Sequence, residues 1–211
     1  MPSEYFVISS NSNRGLPGGW VLSLMVVAWL SGVGYGVNQV WKYSTTPGIE
    51  APHPARWPGE SRIPRGSNHP TLVMFVHPRC PCSRASLAEL DRITQLSGQA
   101  AETFIVFLRP DDTAAGWEQT DIWASAQRIA NGHVVTDVAG TEAARFGAET
   151  SGQVLLYDAA GELKFAGGIT GSRGHEGDNP GARRVFSLVN GTPADRDGAS
   201  VYGCPLVQPA T

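Results

Sequence analysis

The chain has 211 residues, a net charge of −3 at pH 7 and only three cysteines. That length suits one ordinary domain with extensions. The slight negative charge and the lack of a basic run argue against a surface that binds nucleic acid. Three cysteines are too few for a small fold held together by disulfides. Neither GxxxxGK[ST] nor GxGxxG occurs, so we expect no nucleotide cofactor.

An apolar segment without charged residues covers positions 20–41, after a polar N-terminal segment at 1–19. A helix needs roughly 20 such residues to cross the hydrocarbon layer, and the tryptophans at both ends match the interfacial aromatic belt. A cleaved signal peptide is the alternative, but the run is long and no A-x-A-like site follows it. We therefore expect a transmembrane helix that holds the rest of the chain at the outer, periplasmic face of the cytoplasmic membrane.

The stretch 42–70 is irregular and contains prolines at positions 47, 52, 54, 58, 64 and 70. Such a density of proline blocks helix and central-strand formation and predicts a stiff, extended linker. The domain itself is expected to cover 71–190, followed by a C-terminal tail at 191–211.

Within the domain, short β-forming runs alternate with helical periodicity. Leu87, Leu90, Ile93 and Leu96 recur at helical spacing after the first strand, so one face of that helix is expected to pack on a sheet. The order predicts an α/β fold with a mixed β-sheet and helices on both faces. The predicted strands are 71–76, 103–108, 133–136, 154–157 and 163–166, and the predicted helices are 83–96, 121–130, 141–146 and 182–189.

Cys80 and Cys82 stand where the first strand gives way to this helix, with Pro81 between them. With Cys80 as the N-cap, Pro81 takes the first helical position, where its missing N–H costs nothing. The Cys80 sulfur would then face unpaired N–H groups at the positive end of the helix dipole, which favours the thiolate. Arg79 and Arg84 add positive charge, and His77 does so if it points toward the sulfur. Cys80 is thus the expected nucleophile.

The partner of Cys80 stays open between Cys82 and Cys204. Residues two apart on a helix do not face each other, so a bond between Cys80 and Cys82 would be tight and easily reduced. Cys204 lies in the tail between Gly203 and Pro205, where the chain could swing back. A lone tail thiol is the third possibility, and the sequence does not choose among the three pairings.

The strand, the cysteine motif that opens a helix and the later hairpin and helix resemble the thioredoxin-like superfamily over about 71–190. Within that range HPRCPCSRAS, TSGQVLLYDAAGEL and GGITGSRGHEGDN resemble the membrane-anchored thioredoxin-like proteins labelled RedB. The resemblance implies a thioredoxin-like fold. Two positions depart from the thioredoxin pattern, since Ser83 replaces the second cysteine and Gly152 replaces the cis-proline. The expected substrate-binding positions are His77, Arg79, Ser83, Ser151, Gly152, Arg173 and His175.

Two functional classes follow. The first is a thiol-disulfide oxidoreductase in which Cys80 attacks a protein or small-molecule disulfide and Cys82 or Cys204 resolves the intermediate. The second is a Cu(I) metallochaperone that resembles the Sco type, since thiolates suit a soft ion and His175 lies far downstream as in that family. Sco proteins space their cysteines more widely. A module with vestigial chemistry that serves in assembly is the third interpretation.

Overall fold

The computed structural model describes residues 18–194 and 198–207. The chain separates into two units, with the division between Trp41 and Lys42. Helix α1, Gly18–Thr45, begins in the first unit. Among the described residues it is the one helix long and apolar enough to be a membrane span or a signal sequence.

The second unit is built on a five-stranded mixed sheet of order β3-β2-β1-β4-β5. The central strand β1 is parallel to β2 and antiparallel to β4, β2 is parallel to β3, and β4 and β5 form an antiparallel hairpin. The strands are β1 Thr71–Val76, β2 Glu102–Arg109, β3 Gly132–Val138, β4 Gln153–Tyr157 and β5 Leu163–Gly168.

Both faces of the sheet are covered, because the side chains of β1 alternate between two hydrophobic clusters. Leu72 and Met74 belong to a cluster that includes apolar side chains of α2, α3 and α5. Leu96 was expected on the packed face of α2, but it is 67 % exposed in the last turn of that helix. Val73 and Phe75 belong to a second cluster that includes Phe146 of α4. The helices are α2 Ser83–Ser97, α3 Asp121–Ala126, α4 Thr141–Phe146 and α5 Pro180–Val189. The expected thioredoxin-like α/β architecture is confirmed.

The bounds of some elements differ from the sequence prediction. Helix α3 ends at Ala126, four residues early, and the chain continues in turns as far as the start of β3. Helix α5 begins two residues early, at Pro180, where the side chain of the N-cap Asn179 accepts the N–H of Ala182 at 2.8 Å. Proline at the first helical position after an asparagine cap is a favourable start that the Gly-rich surroundings hide.

The proline-rich stretch 42–70 was expected to be an extended linker, and here the structure differs. Ile63 is 3 % exposed within the second cluster, and Trp57 makes edge-on contacts with Phe146 and Tyr157. The Tyr157 hydroxyl donates to the carbonyl of Pro54 at 3.1 Å. The prolines do prevent regular structure, but apolar side chains between them bury against the sheet, so this stretch belongs to the folded unit.

Candidate active site

The three cysteines are positioned by two segments, the turn between β1 and α2 and the C-terminal tail. In the turn, the Cys80 N–H donates to the His77 carbonyl at 3.1 Å, and the Ser83 N–H donates to the Cys80 carbonyl at 3.1 Å. The N-cap of α2 is Cys82, with φ −65° and ψ −24°, and not Cys80 as the sequence predicted. Two successive tight turns precede the helix, so Cys80 lies just before its first turn.

The tail brings Cys204 to Cys80, with 2.9 Å between the two Sγ atoms. Main-chain hydrogen bonds hold the tail against the segment that leads into β4. The Ser151 N–H donates to the Cys204 carbonyl at 2.8 Å, and the Leu206 N–H donates to the Glu149 carbonyl at 2.8 Å. The tail is therefore a docked strand-like segment, although the sequence suggested a segment free to swing.

Burial differs among the three thiols. Cys80 is 1 % exposed and Cys82 is 7 % exposed, whereas Cys204 is half-buried. Leu206 is 2 % exposed in the same cluster as Val73 and Phe75, so it fixes the tail in the core directly after Cys204. Of the two sulfurs in contact, that of Cys204 belongs to the less buried residue.

The pKa values of the contacting thiols are pushed apart. Burial raises the pKa of Cys80, but hydrogen bonds from the Cys204 thiol and main chain, the Ser83 side chain and the Cys82 main chain outweigh it and lower the pKa below its ordinary value. Burial and the adjacent Cys80 raise the pKa of Cys204 to about 12. The pKa of Cys80 is lowered, as the sequence predicted. The group that lowers it most is Cys204 in the tail, whereas the sequence predicted the start of the helix.

The pKa of Cys82 is shifted in the opposite direction from that of Cys80. Burial and the charge of Cys80 raise the pKa of Cys82, and Arg173 partly offsets that rise. The Arg173 guanidinium donates to the Gly203 carbonyl and lies 5.0 Å from the centroid of the Tyr43 ring. Arg173 thus connects the loop before α5 with the tail residue that precedes Cys204.

His77 and Arg79 line the outer side of the turn. The Arg79 N–H donates to Nδ1 of His77 at 3.2 Å, so that ring nitrogen acts as the acceptor. Burial and the Arg79 charge lower the pKa of His77, which leaves the imidazole neutral near pH 7. Arg79 lies 4.3 Å over the Trp117 ring, and the His77 ring meets Trp117 edge-on at 6.0 Å. His77 therefore adds no positive charge beside Cys80.

Ser83 and Ser151 join the turn to the start of β4. Their hydroxyl oxygens are 2.8 Å apart, and the Ser151 hydroxyl accepts the His77 N–H at 2.8 Å. Gly152, at the thioredoxin cis-proline position, has φ +89° and donates its N–H to the Phe75 carbonyl at 2.8 Å. This φ favours glycine, and a Cβ on Gly152 would lie 2.7 Å from the Ser86 hydroxyl, which would have to turn away.

His175 is exposed in the loop between β5 and α5, where its N–H donates to the Ser172 carbonyl at 3.3 Å. Across residues 18–194 and 198–207, no group of three or more His, Cys, Asp or Glu side chains is placed to hold a metal ion.

A cleft of about 840 Å³ opens beside the two contacting thiols. Its lining also includes Trp117 and Leu108 and two acidic residues, Asp111 and Asp112. The sequence analysis did not predict a role for Trp117. The one feature that could have indicated it is its position as a single aromatic residue among turn-forming residues. The lining residues from the turn and the tail are His77, Arg79, Cys80, Cys204, Pro205, Leu206 and Val207.

No protein-family model matches the chain, and no curated protein matches it. An uncharacterised conserved protein from Geobacillus kaustophilus is similar in structure, with a TM-score of 0.57 and 16 % identity over 79 % of this chain and 95 % of that one. A hypothetical protein from Sinorhizobium meliloti has a TM-score of 0.52 and 20 % identity over 77 % of this chain and 94 % of that one. A secreted disulfide oxidoreductase from Mycobacterium tuberculosis has a TM-score of 0.43 and 15 % identity over 58 % of this chain and 81 % of that one.

These likenesses concern the fold, because all three identities are low. The sheet order and the helices on both faces are the arrangement expected from the sequence. The chain therefore has a thioredoxin-like α/β fold, and its likeness to the first two proteins is a likeness of fold alone.

Proposed function

We propose that the protein is a thiol-disulfide oxidoreductase whose redox pair is Cys80 and Cys204. The observation that carries the proposal is the 2.9 Å contact between their Sγ atoms. A disulfide needs about 2.05 Å between the sulfurs, so closing the bond takes a displacement of less than 1 Å, on the order of a thermal side-chain motion. Cys80 supplies the thiolate, and Cys204 supplies the sulfur to which it bonds.

The reaction balances as a two-electron exchange with an external disulfide. One R–S–S–R molecule accepts the electron pair from the Cys80 thiolate and the Cys204 thiol. One R–S⁻, one R–SH and the Cys80–Cys204 disulfide result. The lowered pKa of Cys80 matches the requirement that a thiolate perform the attack that closes the intramolecular bond. The cleft beside the pair has room for a peptide segment or a small thiol, which are the expected substrate classes.

Cys82 stays outside the pair in this proposal. Cys82 is the helix N-cap, two residues from Cys80, and does not line the cleft. Burial and the charge of Cys80 raise its pKa, so it is a poor nucleophile at neutral pH. Its contribution is to the surroundings of Cys80, since the Cys82 N–H favours the Cys80 thiolate.

The proposal includes attachment of the protein to a membrane and the side of the membrane on which the domain lies. Helix α1 anchors the protein in the cytoplasmic membrane, and the domain lies on the outer face, as in the RedB-type proteins that the sequence resembles. The length and apolar composition of α1 support the anchor. A thiol-disulfide pair also fits an oxidising compartment outside the cytoplasm.

Single-cysteine variants test the pairing. With the full chain in detergent, insulin as disulfide substrate and dithiothreitol as electron donor, we expect Cys80→Ser and Cys204→Ser each to lose activity by roughly hundredfold or more, because each removes one half of the pair. Cys82→Ser is the matched control and should keep at least about half of the activity, since it removes a thiol outside the pair. Loss of activity in Cys82→Ser with activity retained in Cys204→Ser would assign the pair to Cys80 and Cys82 instead.

A further inference from the structure

The two sulfurs of the proposed pair differ in how an outside molecule can reach them. Cys80 is 1 % exposed beneath the tail, whereas Cys204 is half-buried in the tail itself. Cys204, Pro205 and Val207 form one wall of the cleft. Pro205 and Val207 are exposed, so this wall is open to solvent. Cys80 lines the same cleft, but it is the more buried of the two cysteines and so the less accessible to a molecule in the cleft.

Moving the tail away from Cys80 would break several stabilising contacts. Lifting it breaks the main-chain hydrogen bonds from Ser151 to Cys204 and from Leu206 to Glu149, both 2.8 Å long. It also exposes Leu206, which is 2 % exposed in the core, and separates Gly203 from the Arg173 guanidinium. Exposing a leucine side chain that is buried in the core is by itself unfavourable. Exchange with the tail in place is thus favoured over exchange that first removes it.

We propose that Cys204, and not the helix-side Cys80, is the sulfur that external thiols attack when the Cys80–Cys204 disulfide is reduced. This inference rests on the proposed function, because it assigns roles within the Cys80–Cys204 pair. It places the mixed disulfide on the tail. Cys80 is then the buried sulfur that leaves as a thiolate when the pair is reduced.

The chemistry of leaving groups points the same way. An external dithiol attacks Cys204 with one thiolate, the bond between Cys204 and Cys80 breaks, and Cys80 departs as a thiolate. The second thiolate of the same dithiol then attacks the mixed disulfide, which yields the oxidised dithiol and free Cys204. The lower pKa of Cys80 makes it the faster leaving group, and attack on Cys80 would instead expel a thiol whose pKa is about 12.

The test uses a monothiol, because a monothiol stops the reaction at the first adduct. The full-length oxidised chain in detergent is treated with reduced glutathione for short times, quenched in acid, and digested for mass spectrometry of both cysteine peptides. We expect glutathione on Cys204 to exceed glutathione on Cys80 by about tenfold or more at the earliest times, given the differences in access and leaving group. An excess of the adduct on Cys80 would overturn the assignment.

Two further measurements separate the possible failures. Mapping the oxidised chain before glutathione is added shows whether the Cys80–Cys204 bond is present, and its absence would overturn both this assignment and the proposed function. A bond that is present but yields the Cys80 adduct would overturn the assignment alone. Leu206→Ala, which loosens the tail, should shift the adducts toward Cys80 by several-fold, and an unchanged ratio would show that the docked tail does not control access.

Discussion

At the scale of single residues, the site is a set of thiols whose ionisation is tuned by one another. Cys80 has its pKa lowered mainly through hydrogen bonds from Cys204, against the opposing effect of burial. Burial and the adjacent Cys80 raise the pKa of Cys204 to about 12. Because the two pKa values are pushed apart in this way, Cys80 is the thiolate of the pair and Cys204 is the thiol that keeps its proton. The causes that lower the pKa of Cys80 are hydrogen bonds from neutral groups, and none is a charged side chain.

Substitution of Cys204 tests this tuning directly. In a Cys82→Ser background, Cys204→Ala should raise the pKa of Cys80 relative to Cys204→Ser, because the serine hydroxyl still donates a hydrogen bond to the thiolate and alanine does not. Ultraviolet absorbance of the thiolate, followed against pH, gives the pKa of the one remaining thiol. Equal pKa values in the two variants would show that the Cys204 side chain does not stabilise the thiolate.

The same shift has a consequence for stability. A thiol whose pKa is lower in the folded state than in the unfolded state contributes stability that is present above the unfolded pKa and is lost as pH falls through the folded pKa. In the Cys82→Ser, Cys204→Ser variant, the free energy of unfolding from urea titrations should therefore rise with pH across that window. A fall across the window would mean that burial, and not hydrogen bonding, determines the pKa of Cys80.

At the scale of elements, the tail from Gly203 to Leu206 is what completes the site. It pairs with the segment before β4, with an antiparallel bridge between Thr150 and Pro205. Gly203 is required for this approach, because a Cβ there would lie 1.9 Å from the Ser151 carbonyl oxygen. Its docking depends on close main-chain contact together with one buried leucine.

Shortening that leucine tests the role of the tail in the fold. Leu206→Ala should lower the free energy of unfolding by about 2–5 kcal/mol, because it leaves a cavity in a packed cluster. Val207→Ala is the matched control, since Val207 is 56 % exposed, and its effect should stay within about 0.5 kcal/mol. Urea titrations of both variants give the comparison. Equal effects would mean that the tail is not anchored through Leu206.

The elements differ in how well the sequence predicts them. Strand β1 is a short apolar run of β-forming residues, and helix α2 carries apolar residues at helical spacing, so the strand, the helix and the cysteines between them could be predicted. The contact of Cys80 with Cys204 joins residues 124 positions apart, and the tail has no periodic pattern. Its position depends on main-chain pairing that any sequence with suitable glycines could make, so spacing alone left Cys82 and Cys204 equivalent.

At the scale of the whole molecule, the folded unit extends beyond the periodic core on both sides. The proline-rich stretch before β1 and the tail after α5 both contribute to the cluster of Val73 and Phe75, through Ile63 and Leu206. The density of proline predicted irregular backbone, which the structure has, but it did not predict packing. Burial of isolated apolar residues between prolines leaves no repeating signal in the sequence.

A matched pair of isoleucine substitutions tests this packing. Ile63→Ala should lower the free energy of unfolding by about 2–5 kcal/mol, because Ile63 is 3 % exposed in the core. The same change at Ile49, which is 57 % exposed in the same stretch, should have an effect within about 0.5 kcal/mol. If Ile63→Ala changes the free energy of unfolding only slightly in urea titrations, this stretch is a linker and not part of the folded unit.

The central claim is that Cys80 and Cys204 form the redox pair, and disulfide mapping of the oxidised protein tests it most directly. The full chain is oxidised in detergent, its free thiols are blocked, and it is digested without reduction for mass spectrometry. The account predicts a cross-linked peptide that joins Cys80 to Cys204, with Cys82 recovered as the blocked free thiol. A bond between Cys80 and Cys82, with Cys204 recovered blocked, would contradict it.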